Sequence, residues 1–238
     1  MKKLLSKLAF GFVLLLVPMF GNAHNIWLET KGSGKVNDKV QVQLFFGEYG
    51  EEAPEKGAKL DWLKVIKIYL IDASGSKTEI AMTQTETHWQ GSFEAKTAGT
   101  YQIIGVNDQG EVRDMSKKNL GFGRSILYLK STYTVKTPVA KESTIQPLDL
   151  TAQKQNTSYL LTAFKDKKEQ GDLNITIINP DGWVKTVETN EIGQASFTPN
   201  KKGLYLINLE WIDNTKGSFK DKAFDNTVNK TVLSLIVQ

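Results

Sequence analysis

No stretch of this 238-residue chain sustains an apolar period of 3.6 residues. What recurs instead is short alternating runs, cut by glycine, asparagine and aspartate turns. Val36 to Phe46 is the clearest, with Val40, Val42, Leu44 and Phe46 on one side and Lys39, Gln41 and Gln43 on the other. Period two buries one face of a strand and wets the other. Further strands are predicted over 62–71, 78–82, 85–95, 100–106 and 124–135. After a connector from Thr137-Pro138 to about Ser143, more follow over 158–164, 173–178, 183–189, 194–197, 204–211 and 227–237. Asn179-Pro180-Asp181-Gly182 is a strong turn signal, because Pro fixes φ and Gly tolerates positive φ. Many short strands with such turns point to β-sandwiches and away from a βαβ fold.

The two blocks resemble each other. Phe93, Gly99 and Tyr101 keep the same spacing as Phe197, Gly203 and Tyr205, each set following a turn-bearing strand pair around Gly75 or Gly182. The expected architecture is all-β: two tandem immunoglobulin-like β-sandwich domains, 24–137 and 144–238. Residues 1–23 read as a signal peptide, with Lys2, Lys3 and Lys7 before the apolar run Leu8 to Phe20 and the small-residue site Gly21-Asn22-Ala23. That run is too short to span a bilayer comfortably, so a periplasmic or secreted chain without stable membrane insertion is expected. Cleavage there lowers the net charge from +4 to +1. A nearly neutral chain exerts no long-range pull on nucleic acid or anionic lipid.

The chain has no cysteine and two histidines. Disulfides, thiolate metal sites and cysteine catalysis are thereby excluded, and histidine triads have almost nothing to draw on. No nucleophile elbow, Walker loop or paired-carboxylate pattern stands out. One nitrogen-rich site remains. Cleavage after Ala23 makes His24 the first residue, with a free α-amine beside its imidazole, and His88 is the one other ring available to complete a three-nitrogen set. Such ligands suit copper, nickel or zinc. The plainer alternative for His88 is a solvent-facing strand residue: if Phe93 points inward, His88 lies on the outward or inter-domain face. Met82, Met115, Glu29 and Asp61 are weaker ligand candidates, and the five tryptophans read mainly as packing residues.

Ala23-His24-Asn25-Ile26-Trp27-Leu28-Glu29 directly after a signal peptide resembles the start of the periplasmic DUF4198 family. The likeness continues at Gly99 to Tyr101, at Gly193 to Phe197, and at 217–224 and 231–235. Asn25 stands where that family often has an acidic residue. The resemblance implies two sandwich-like domains, periplasmic residence and a part in nickel or cobalt uptake, alongside a metal transporter, with His24 as the residue carried over. Three functions follow as expectations. One is a transition-metal-binding or uptake accessory protein (copper, nickel or cobalt) using His24 and His88. Another is a non-catalytic interaction module for an outer-membrane receptor or surface partner, recognising it through the loops Gly47 to Lys59 and Asn107 to Leu120. The third is a histidine-brace copper enzyme.

Overall fold

A computed structural model of the chain describes residues 24–50, 52–136 and 143–238. The signal-peptide reading of 1–23 and most of the predicted connector, 137–142, lie outside the described residues. The first half holds β1 (Asn25–Lys31), β2 (Asp38–Gly47), β3 (Lys67–Ile71), β4 (Lys77–Glu79), β5 (Thr83–Gln84), β6 (Trp89–Ala95), β7 (Gly99–Asn107), β8 (Arg113–Asp114) and β9 (Phe122–Val135). The second holds β10 (Leu148–Gln155), β11 (Ser158–Lys165), β12 (Lys168–Glu169), β13 (Asn174–Ile178), β14 (Val184–Glu188), β15 (Gln194–Phe197), β16 (Gly203–Asp213), β17 (Gly217–Phe219), β18 (Lys222–Phe224) and β19 (Asn226–Val237). The described residues are all-β apart from two 3-10 helical segments, Gly57–Val65 and Ser116–Lys118.

The longer of these replaces the first part of the strand predicted from Trp62. Leu60 and Leu63 are buried three residues apart, matching the 3-10 repeat, while Trp62 is turned outward. β3 therefore begins at Lys67. β10 is not among the predicted strands, although Leu148, Leu150 and Ala152 alternate and are buried.

Each half repeats one strand plan. In the first, β1-β2-β6 faces β4-β3-β7-β9; in the second, β10-β11-β15 faces β14-β13-β16-β19. The repeated aromatic spacing marks equivalent strands. Tyr101 Oη donates to Thr97 O at 2.8 Å and accepts from Thr97 N–H at 2.9 Å. Tyr205 Oη does the same with Lys201, at 3.0 and 3.2 Å. Phe93 lies 5.5 Å from Tyr101, and Phe197 lies 5.8 Å from Tyr205. Gly99 and Gly203 open the two tyrosine strands with φ of 146° and 133°, and a side chain there would strike Ala73 or Pro180 of the preceding hairpin turn. Replacing Tyr101 or Tyr205 with Phe is expected to cost about 1–2 kcal/mol each in urea denaturation, because each hydroxyl closes a partly buried turn.

The halves are not two separate pairs of sheets in series. β9 and β19, the last long strand of each, pair in parallel from Gly123–Asn226 to Ser131–Ser234, fusing the two larger sheets into a nine-stranded one. Two like units joined by parallel equivalent strands are related by rotation about an axis along those strands, which turns the sheet over. The smaller sheets consequently pack on opposite faces. Leu129, Tyr133 and Val135 of β9 enter a core with β1, β2 and β6, while Tyr128 enters the other core with β10 and β11. Each half thus leaves part of its neighbour's sheet face uncovered.

Candidate functional site

The structure separates the two histidines. His24 stacks on Phe46 with ring centroids 4.9 Å apart, and His88 tilts against Phe45 at 5.0 Å. Phe45 and Phe46 are successive residues of β2, whose side chains leave opposite faces of the sheet. His24 is one step before Asn25, which pairs with Gly47, and His88 one step before Trp89, which pairs with Leu44, so both placements follow from the register. The expected His24–His88 ligand pair is therefore not brought together. His88 does lie on the face away from Phe93, as its alternation with Trp89 and Gly91 implies.

His88 has other work. Gln43 Nε2 lies 2.8 Å from its Nε2, and an amide nitrogen can only donate, so the ring nitrogen accepts. Its Nδ1 lies 2.9 Å from the Thr87 hydroxyl. Burial pushes the imidazole below its ordinary 6.5, in keeping with a neutral ring. As pH falls, unfolded His88 takes up a proton before the native ring does. Its contribution to stability is full above pH 6.5 and is lost as pH falls through the lowered native value. His88→Gln is expected to flatten that part of the stability–pH curve in denaturation series run through mild acid.

His24 is half exposed, and its Nε2 lies 3.2 Å from Glu55 Oε1. Lys59 holds the other oxygen of Glu55 at 2.6 Å, and these hydrogen bonds, Lys59 first, keep that carboxyl below its usual range. No group of three His, Cys, Asp or Glu side chains able to hold a metal occurs among the described residues. Met82 packs against the first core. Glu29 accepts from Trp27 Nε1, and Asp61 from Gln84 Nε2.

A large concavity lies where the halves meet. An open cleft of about 1140 Å³ runs between the start of β1 and the uncovered sheet face of the second half. Leu127, Ile178, Val184 and Val232 give its floor an apolar stripe, and Asn174, Thr176 and Asn208 a polar one. His24, Ile26, Tyr49 and Trp62 form one wall; Asn107, Glu111 and Arg113 form another. The Glu210–Lys230 pair, at 2.9 Å, crosses the outer floor and is too exposed to stabilise the fold by more than about 1 kcal/mol.

Two contacts fix the wall against the floor. Tyr49 Oη donates to Leu204 O at 2.6 Å, and burial drives that phenol's pKa well up. Gly50, at φ 82°, lies so close to Gly182 that any side chain would collide with the opposing backbone. Both loops named from sequence as recognition surfaces reach this cleft, Glu48 and Tyr49 from one and Gly110, Glu111 and Arg113 from the other. The cleft itself leaves no motif in the sequence, because it arises from the pairing of strands about a hundred residues apart.

No protein-family model matches the chain, and no curated protein matches it. The DUF4198 likeness thus rests on the quoted residues alone. Among solved structures, a two-domain fibronectin type-III segment from chicken tenascin aligns over 90% of this chain and 100% of that one, at 11% identity and a TM-score of 0.25. A BSP domain of a biofilm-associated protein aligns over 86% of this chain and 29% of that one, at 11% identity and a TM-score of 0.22. Scores that low describe no shared arrangement of the halves. Among the described residues, no helix is long and apolar enough to cross a membrane.

Proposed function

We propose that this is an exported, non-catalytic interaction module made of two immunoglobulin-like β-sandwiches, joined side by side through their last strands, that holds a surface partner in the cleft between them. The strand plan supports the sandwich assignment: in each half three matching strands of a four-stranded sheet face four of the fused sheet, with a tyrosine closing the turn before the same strand both times. One observation carries the functional reading. Both candidate recognition loops and both halves converge on a single concavity, which has an apolar floor and polar walls. Export rests on the charged, apolar and small-residue order of 1–23.

The test is site-specific photo-crosslinking in cells, with the chain carried by its own leader. Val184 lines the cleft and is 64% exposed; Trp183, its neighbour, is 76% exposed and lies outside it. A photoreactive residue at 184 is expected to give a discrete adduct, and one at 183 none. Equal labelling from both, or none from 184, contradicts the reading.

A metal-uptake role is a second reading, favoured by one detail. Glu55 occupies Nε2 of His24 and leaves Nδ1 on the side able to chelate together with a free α-amine. The chelate would have two nitrogens from His24 and none from His88. Exported protein binding one equivalent of copper or nickel, lost in His24→Ala and kept in His88→Ala, supports it; metal-free exported protein refutes it.

A further inference from the structure

We infer that the cleft is a glycan site whose ligand is an uncharged oligosaccharide several sugar units long. The inference rests on the cleft reading above and adds the ligand's chemistry.

A sugar ring offers two kinds of surface, an apolar C–H face and a rim of hydroxyls that donate and accept. The cleft has a counterpart for each. Trp62 is 37% exposed at the cleft wall, and its ring is held edge-on to Phe46 at 5.2 Å and 89°. Phe46 is backed in turn by His24. An exposed indole held by Phe46, which His24 backs, is a rigid platform that loses little freedom when a ligand stacks on it.

The hydroxyl-binding groups lie across from it. Asn25, Asn174, Thr176 and Asn208 face the cleft, and among the described residues their side chains make no hydrogen bond to the rest of the chain. Each asparagine brings two donors and one acceptor. Thr176 and Asn208 stand directly opposite each other on neighbouring strands, and Val232 is the next partner of Asn208. Neighbouring strands lie ~4.8 Å apart, so the polar pair Thr176–Asn208 and the apolar Val232 stand side by side on the scale of one sugar ring.

Charge and shape narrow the class. Glu48, Glu111, Asp172 and Glu210 outnumber Arg113, Lys230 and the α-amine that cleavage leaves on His24 around the cleft, and Lys230 is paired with Glu210. Phosphate, sulfate and uronate polymers therefore meet repulsion. A peptide added as a strand needs a free sheet edge, whereas the floor here is a sheet face and β1 offers it only Asn25 and Ile26. The volume exceeds the ~300–1000 Å³ usual for a single small ligand, which favours a short chain of sugars over one.

The test is calorimetry and tryptophan fluorescence on the exported full chain with cello-, chito-, malto- and manno-oligosaccharides, tetramer to hexamer, and with oligogalacturonides as the charged probe. At least one neutral series is expected to bind. Trp62→Ala and Asn208→Ala should each weaken it about tenfold, the loss of one stacked ring or one satisfied polar group. Trp183→Ala should leave it unchanged. All three positions are solvent-facing, and unaltered melting confirms that each variant is folded. No neutral binding, neutral binding indifferent to both cleft substitutions, or preference for oligogalacturonides overturns the inference. A cleft-dependent peptide selected from a display library, with sugars silent, also overturns it while leaving the cleft reading intact. Failure of the crosslink at 184 removes that reading itself.

Discussion

Lys130→Met is expected to destabilise the protein by about 3–5 kcal/mol, the largest effect of any single side-chain replacement considered. Lys130 and Asp149 are both 0% exposed and 3.1 Å apart. The ammonium also donates to Leu150 O at 3.1 Å and Ser143 O at 3.3 Å. Asp149 accepts from the backbone N–H groups of Ile145, Gln146 and Leu150. The pair ties the start of β10 to β9, at the point where the chain passes from one half to the other. Removing the cation strands a buried carboxylate, and that desolvation penalty sets the magnitude. Urea denaturation reads it as a lowered midpoint at an unchanged slope. Lys130→Met combined with Asp149→Asn should recover part of the loss, since the stranded charge is gone. A loss below about 1 kcal/mol for the single variant would mean that the pair is hydrated in solution.

Leu129→Ala carries the second large expectation, about 2–5 kcal/mol from a 0%-exposed side chain on the shared strand. The distinctive part is where the loss is felt. β9 pairs with β7 on one side and β19 on the other, so weakening its core should lower both halves together. Amide exchange in Gly99–Asn107 and in Gly203–Asp213 should accelerate in parallel, within one unfolding transition. Two transitions, with only the first shifted, would describe sandwiches that fold independently.

Much of this architecture is legible in local sequence, for a physical reason. Alternation is a property of one strand, so β2, β6, β7 and β9 show in the residue pattern by itself. The Phe–Gly–Tyr spacing also carries through, because a tyrosine that closes its own turn four residues back is a local device. Trp62 fails as a strand residue because Leu60 and Leu63 bury on a three-residue repeat too short to stand out.

The site is harder to read. His24 and His88 sit near strands that are neighbours of β2, and their proximity in the sheet is foreseeable. The face each ring takes depends on a register in which one residue's shift reverses everything. Lys130 is visible as a cation sharing a face with Tyr128, but its partner Asp149 lies beyond the connector. The parallel β9–β19 pairing, and with it the cleft, depends on non-local contacts that no motif announces.

The natural absence of cysteine gives the most direct test of that junction. Leu127 and Lys230 are register partners across the β9–β19 pair, and both face the cleft. Adjacent strands place such partners within the ~4.4–6.8 Å Cα separation that a disulfide spans. With cysteine at both positions, mild oxidation should close an intramolecular bond, read as a monomer with no free thiol. Thiols that stay free, or that link only between molecules, would show that the two last strands do not meet, and that the cleft between the halves does not exist as described.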